Sequence, residues 1–477
     1  MQEQRKGAGE RWIDVELAGC EFNDVRLNKR FRKLVEQLSG GIGESIPWAC
    51  QDWANTKAAY RFLSNPQVTE AGILKGHIEA TRGRLACGDG PILMLHDTTE
   101  FSYHRDDMAA IGILHKNPVG KNRDGTLQHS IVCGLQMHSS LAVTTDGVPL
   151  GLAAIKFWSR DQFYGCNALK KKINPTRIPI EVKESFRWLE NLRQSTALFD
   201  EPQRCVHIGD RESDIYELFC VAQQVETHFL VRTCVDRLAG DGKHTIADEM
   251  EEVHVQGLHR IQVRDQRGDT TEAVLEIRYR RIRVLPPIGK QKQYPDLTLT
   301  VIHVQERGTP RGRDKIDWKL ITDLPVNSRR DALEKIRWYS LRWKIETFHK
   351  ILKSGCKAEE SKLRTAERLV NFISILCILG WRIFWLTMIN RSIPDAAPEV
   401  AFTKLELQLL DKLVENKKRE GMRSKPLTAY LTKLARLGGY LARAHDPPPG
   451  NMVFWRGLSR LTDIQLGFLL GAQLVGN

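Results

Sequence analysis

Residues 331–355 read DALEKIRWYSLRWKIETFHKILKSG, with apolar side chains at helical spacing and no glycine or proline before the last position. That pattern predicts one long helix. At about 100° per residue, with Tyr339 set at zero, Arg342, Glu346 and Lys353 share an arc of about 60° with it. Leu341, Ile345, Phe348 and Leu352 gather between about 180° and 240°, beside Trp338. One stripe is built for burial. The neighbouring stripe presents a carboxylate among a phenol, a guanidinium and an ammonium, which suits a metal ligand beside a polyanion. Taken alone, it equally suits a solvated helix face whose i,i+4 ion pairs contribute a few tenths of a kcal/mol each. The rest of the chain decides between them.

Residues 1–75 carry helical patterning with basic faces. Residues 24–33 hold Arg26, Lys29, Arg30, Arg32 and Lys33, with Leu27, Phe31 and Leu34 at core spacing. A second helix, 53–63, carries Lys57, Tyr60 and Arg61 and stops before a Ser-Asn-Pro turn. A further helix is expected at 70–85. The run PILML at 91–95 then reads as a doubly covered strand that delivers Asp97 at its C-terminal end. Strands are expected at 131–137, 141–145 and 148–155, and an amphipathic helix at 181–194. A second short apolar strand, 204–210, ends in Asp210 and leads into a helix at 211–223. After a strand at 229–233 the chain turns β-rich and basic to about residue 324, with strands at 274–285, 297–305 and 318–322. The last part is helical, with a basic run at 417–425 and Pro447-Pro448-Pro449 as a linker.

Composition narrows the class. The 477 residues are 42% hydrophobic and 27% charged, which describes a folded chain of two to four domains. The formal charge of +13 favours polyanionic partners, nucleic acid first. Ten cysteines are scattered without any C-x-x-C pair, which argues against a zinc ribbon or disulfide framework and for a reducing compartment. The first twelve residues have no apolar core, so no secretory signal is expected. The most membrane-like run, 369–388, is broken by Asn371 and Arg382 and reads as a buried core helix rather than a span. A cytoplasmic protein without a membrane partner is expected.

Two strands thus end in Asp97 and Asp210, and a later helix carries Glu346. Open α/β sheets place their chemistry at strand ends. Three carboxylates without a histidine suit hard divalent cations, and a pair of such ions supports phosphodiester cleavage. Each Asp alone is as well explained as a helix cap, as Asp210 before its helix could be. A rival zinc reading places His96, Glu100 and His104 at i, i+4 and i+8, but Thr98 and Thr99 disfavour a helix there.

The spacing Tyr339-x2-Arg342-x3-Glu346-x6-Lys353 resembles the Tyr-Arg-Glu-Lys signature of DDE transposases of the insertion sequence four family. Asp97-Thr-Thr-x-x-Ser-Tyr103 and Asp210-Arg-Glu-x-Asp214-Ile resemble that family's two Asp motifs, and the similarity extends over nearly the whole chain. The resemblance implies an α/β fold: a ribonuclease-H-like catalytic core with a β-strand insertion, flanked by an α-helical N-terminal DNA-binding domain and an α-helical C-terminal domain. The divisions expected are 1–75 for DNA-end binding, 76–370 for catalysis with the insertion at about 235–325, and 371–477 for dimerisation.

It further implies cut-and-paste transposition by a homodimer on paired inverted-repeat ends of double-stranded DNA. Asp97, Asp210 and Glu346 would be the catalytic and metal-binding residues, with two Mg2+ ions per site for which Mn2+ can substitute. Tyr339, Arg342, Lys353 and Arg232 would hold a 5′-phosphate. Trp318 would stack on a flipped base during hairpin formation, and Arg26 and Arg30 would contact the transposon ends. Two alternatives stand beside this: a domesticated DNA-binding descendant without catalysis, and a ribonuclease-H-like nuclease acting on branched DNA.

Overall fold

A computed structural model describes residues 11–105, 107, 109–121, 127–160, 178–264, 270–310, 312–414 and 426–475. The basic run at 417–425 lies outside them.

The chain opens with five helices: α1 (Trp12–Leu17), α2 (Val25–Gly40), α3 (Ile46–Cys50), α4 (Trp53–Leu63) and α5 (Glu70–Ala86). The start of α2 is fixed by Asp24, whose carboxylate accepts the Arg26 amide at 2.8 Å, and that of α4 by Asp52, which accepts the Asn55 amide at 2.7 Å. Phe22, Phe31 and Phe62 join these helices. Phe31 and Phe62 stack at 5.6 Å and Phe22 meets both edge-on.

The central sheet follows: β1 (Ile92–Tyr103), β2 (Ile113–Lys121), β3 (Leu127–Thr144) and β4 (Pro149–Trp158), then α6 (Phe186–Thr196), β5 (Cys205–Gly209), α7 (Tyr216–Gln224) and β6 (His228–Arg232). Strands β1, β5 and β6 run parallel, while β3 lies antiparallel between β1 and β2. Two expectations need correcting here. Asp97 does not end its strand but sits in the middle of a 12-residue one, because residues 98–103 go on pairing with β3 as far as Cys133. The two strands expected at 131–145 are a single 18-residue strand. Ser139 and Ser140, which break the apolar run, are fully buried and hydrogen-bonded to His349 and His96. The helix expected at 211–223 begins only at Tyr216, after a short 3₁₀ turn over Arg211–Ser213.

The β-rich segment contributes β7 (Leu238–Ala239), β8 (His244–Thr245), α8 (Ile246–Glu251), β9 (Gly257–Arg264), β10 (Thr270–Val284), β11 (Leu297–Glu306) and β12 (Asp317–Thr322). It extends the same sheet. Strand β12 pairs antiparallel with β6, Leu320 opposite Arg232, and the order runs β2-β3-β1-β5-β6-β12-β11-β10-β7-β8.

The expected helix over 331–355 is broken. It consists of α9 (Arg329–Ser340), α10 (Trp343–Lys350) and a π-helical turn over Ile351–Gly355. Between α9 and α10 the amides of Leu341, Arg342, Lys344 and Ile345 each bond three residues back, so the chain winds tighter there than an α-helix. The start of α9 is capped reciprocally by Ser328 and Asp331.

Helices α11 (Ala366–Ser392), α12 (Lys404–Leu413), α13 (Leu427–Leu437) and α14 (Asn451–Val475) complete the chain. Helix α11 is long and apolar enough to cross a membrane, but 94% of its most apolar window is buried inside the protein. Both of its polar interruptions are employed there. Asn371 donates to the carbonyls of Leu63 and Val68, and Arg382 lies over the rings of Trp12 and Trp385 while donating to Ala401 O. Helices α13 and α14 meet at Gly438 and Gly457. A Cβ on Gly438 would fall 1.9 Å from Val453 O, so only glycine permits that approach.

Candidate active site

Asp97 lies opposite Ser139 on β3, with one carboxylate oxygen accepting the Thr98 amide at 2.8 Å. Asp210 follows the last residue of β5 and accepts the Glu212 amide at 2.9 Å, so it does cap the turn after its strand. Glu346 comes from the first turn of α10. Arg342 joins Glu346 to Asp97. Its Nη2 donates to Glu346 Oε1 at 2.6 Å and its Nη1 is 3.6 Å from Asp97 Oδ2. Burial pushes the Asp97 carboxyl up to about 7, with Arg342 and the Thr98 amide opposing the rise and the charges of Asp210 and Glu346 adding to it. The carboxylates of β1 and α10 thus share one guanidinium, and Asp210 follows the strand that pairs with β1, Leu95 opposite Ile208.

The donors are all carboxylate oxygens, one of them buried among like charges, and that chemistry suits a hard divalent cation. Among the described residues no three His, Cys, Asp or Glu side chains, Asp97, Asp210 and Glu346 included, stand close enough together to hold a metal ion. Glu346 is engaged by Arg342 instead.

The other expected residues divide. Tyr339 is buried, and its ring meets that of Trp318 edge-on at 5.4 Å, so both stand together on one face of the extended sheet. Arg232, at the end of β6, donates to Asp317 O beside Trp318. Lys353 lies in the π turn, 5.9 Å from the Phe101 ring. Arg26 is 91% exposed and paired with Asp24. Arg30 is not free: it donates to Asn55 Oδ1 and O at 2.9 and 2.7 Å, tying α2 to α4. The zinc alternative fails on geometry. His96, Glu100 and His104 lie on or just past an extended strand, where four residues span about 13 Å. His96 bonds Ser140 and His207, and Glu100 bonds Gln136 and His115.

Three supports escaped the pattern reading. Ser139 Oγ and His349 Nε2 lie 2.9 Å apart and fasten α10 to the strand facing Asp97. Arg187 of α6 donates to Thr98 Oγ1 at 3.2 Å and Glu212 at 2.6 Å, bridging the neighbours of both Asp residues. Asp214 Oδ2 accepts from Thr233 Oγ1 and the amides of Cys234 and Val235, while Oδ1 pairs with Arg237 at 2.5 Å. Only Asp214 left a trace in the sequence, inside the second Asp motif.

Residues 9–68 match a family model described as transposase DNA-binding, and residues 220–380 match one described as transposase DDE domain. The chain carries the DNA-binding and catalytic modules of a DDE transposase. It is a metal-dependent enzyme that cleaves DNA and performs transesterification, and its partner is DNA. A DDE domain implies a ribonuclease-H-like core, in keeping with the mixed sheet around β1, β5 and β6. The second match includes α10 and Glu346 but begins after Asp97 and Asp210.

Proposed function

We propose that this transposase belongs with the insertion sequence four family, close in kind to the transposon five transposase, and moves its element by cut and paste. One observation carries the reading: Arg342 bonds Glu346 and stands 3.6 Å from Asp97, while β1 and β5 pair Leu95 with Ile208, each two residues before Asp97 and Asp210. These three carboxylates are the catalytic set and would hold two Mg2+ ions, with Mn2+ able to substitute. Such ions, when bound, supply an activated attacking oxygen and stabilise the leaving one.

Water attacks one strand at the transposon end, the freed 3′-hydroxyl attacks the opposite strand to close a hairpin, a second water opens it, and the 3′-hydroxyls join target DNA. Arg342, Arg232, Lys353 and the phenol of Tyr339 grip the 5′-phosphate through charge-assisted contacts. Trp318, half-buried beside Tyr339, supplies the indole on which an extruded base stacks. Arg26 contacts the end directly. Arg30 does so only by exchanging its bonds to Asn55. In this reading residues 1–75 bind the end, 76–370 catalyse and 371–477 pair two protomers. The exposed Leu466, Phe468, Leu469 and Leu470 of α14 support that pairing.

The test is cleavage of a DNA fragment bearing the element's own inverted repeat, in magnesium, run on a denaturing gel beside Glu346→Gln. The reading requires nicks and hairpins from the wild type and neither from the variant. Binding without cleavage points to a non-catalytic descendant, and nicking that survives in the variant means a different active site.

A further inference from the structure

A groove of roughly 520 Å³ opens where four parts of the chain meet: the α2–α3 loop with the start of α3, the segment following α10, the end of α13, and α14. The α14 side is pinned to the loop by two hydrogen bonds. Trp455 Nε1 donates to Ile42 O at 2.7 Å and Ser459 Oγ donates to Gly40 O. Three cations line it, Lys357, Arg456 and Arg460, against one lining carboxylate, Glu44; Lys357 also stands 3.8 Å from Glu360, and Arg460 donates to Leu437 O at 2.9 Å. Arg456 and Arg460 are exposed and lie four residues apart on one helix face, about 6 Å along the axis. Lys357 holds a left-handed backbone at φ 50°, just past the π turn, a conformation a non-glycine residue adopts only at some cost. Trp48, 51% exposed, forms part of the rim. None of these residues belongs to the carboxylate site or to the end-contacting pair Arg26 and Arg30.

We propose that this groove is a second DNA-binding surface, which holds the phosphodiester backbone of duplex DNA without reading its sequence. This inference rests on the transposase reading for its partner and adds a place for it. Cations in excess, two of them spaced along one helix face, suit a polyanionic backbone, and Trp48 and Trp455 form apolar walls beside them. Because the groove is complete only when α14 is seated on the α2–α3 loop, DNA lying in it contacts the end-binding helices' own loop, the segment after the Glu346 helix and the C-terminal helix at once.

The test is the salt dependence of duplex binding by the full chain, measured by fluorescence anisotropy with the element's end and with an unrelated duplex. Each phosphate contact contributes about 0.9 to the slope of log K against log salt, so Arg456→Gln/Arg460→Gln should flatten it by about two units on both duplexes. Arg456→Lys/Arg460→Lys should keep the wild-type slope, and Arg456→Gln alone, at an exposed position, should remove about one unit. An unchanged slope in the double Gln variant overturns the proposal, as does a loss confined to the element's end. If the wild type itself binds neither duplex, the transposase reading fails, and that outcome is distinct because it needs no variant.

Discussion

Arg342 donates to Glu346 across 2.6 Å from a side chain that is itself only 10% exposed. It is the cation nearest to both Glu346 and Asp97, so its removal leaves like charges facing one another without a counter-ion. Arg342→Gln should lower strand cleavage by about 100-fold or more, the scale seen when one preorganised donor is lost from a reacting centre. Arg342→Lys should recover only part of this, because a point charge cannot serve Glu346 and Asp97 as a planar fork does. Single-turnover cleavage on saturating protein is the measurement. A Gln variant that cleaves at the wild-type rate would remove Arg342 from the site.

The Asp97 carboxyl, pushed up to about 7 by burial, fixes the sign of a pH effect in chelator-treated protein. The folded state binds this proton more tightly than the unfolded chain, whose carboxyl titrates near 3.8. Its contribution is therefore fully present below that value and is lost as pH rises through about 7. The buried, neutral His96 and His349, held down at about 3 mainly by burial, act in the opposite direction, destabilising as pH falls below 6.5. The comparison must therefore be a difference between wild type and Asp97→Asn. Unfolding temperatures from pH 5 to 8 in EDTA should show the wild type losing ground to Asp97→Asn with rising pH, by at most about 3 kcal/mol. Parallel curves would show that Asp97 is not buried among charges.

Asp214 and Arg237 form a buried pair on which the loop after β6 is hung. Asp214→Ala strands the Arg237 charge and three donors, and should cost about 3 to 5 kcal/mol. Asp214→Leu/Arg237→Met removes both charges and should restore much of that. Thermal unfolding followed by circular dichroism separates the cases, and a double variant no more stable than the single one would rule out the stranded charge as the cause.

Helix α14 exposes Leu466, Phe468, Leu469 and Leu470 in one turn and a half. Leu466→Asp/Leu470→Asp should leave the protomer folded but abolish the paired-end complex, seen as a halved mass of the DNA-bound species by light scattering. A mass unchanged by the two charges would place the protomer contact elsewhere.

How much of this was written in the sequence differs from element to element. The four-residue apolar run before Asp97 announced its strand, and the four-residue spacing of Arg342 and Glu346 announced their ion pair. The extent of the strands was hidden, because Asp97, Thr98, Ser139 and Ser140 are polar residues that find partners inside the protein, and periodicity counts polar residues as exposed. The break at Leu341–Arg342 was hidden for another reason. A turn of 3₁₀ winding changes four hydrogen bonds but no residue type, so nothing in composition marks it. The Ser139–His349 bond joins positions 210 residues apart and could be found only by folding the chain.

The pairing of β12 with β6 has one last consequence. Asp210 and Trp318 are separated by two strand spacings sideways and about two residues along, roughly 10 Å by 7 Å, and every link between them is a backbone ladder. On the function proposed above, the sheet acts as a gauge, fixing how far a base captured on the indole would lie from the bond being cut. Lengthening or reshaping the loops of the insertion leaves that interval untouched. Changing it would take a bulge in β6 or β12, and such a bulge would turn Arg232 away from the site in the same stroke.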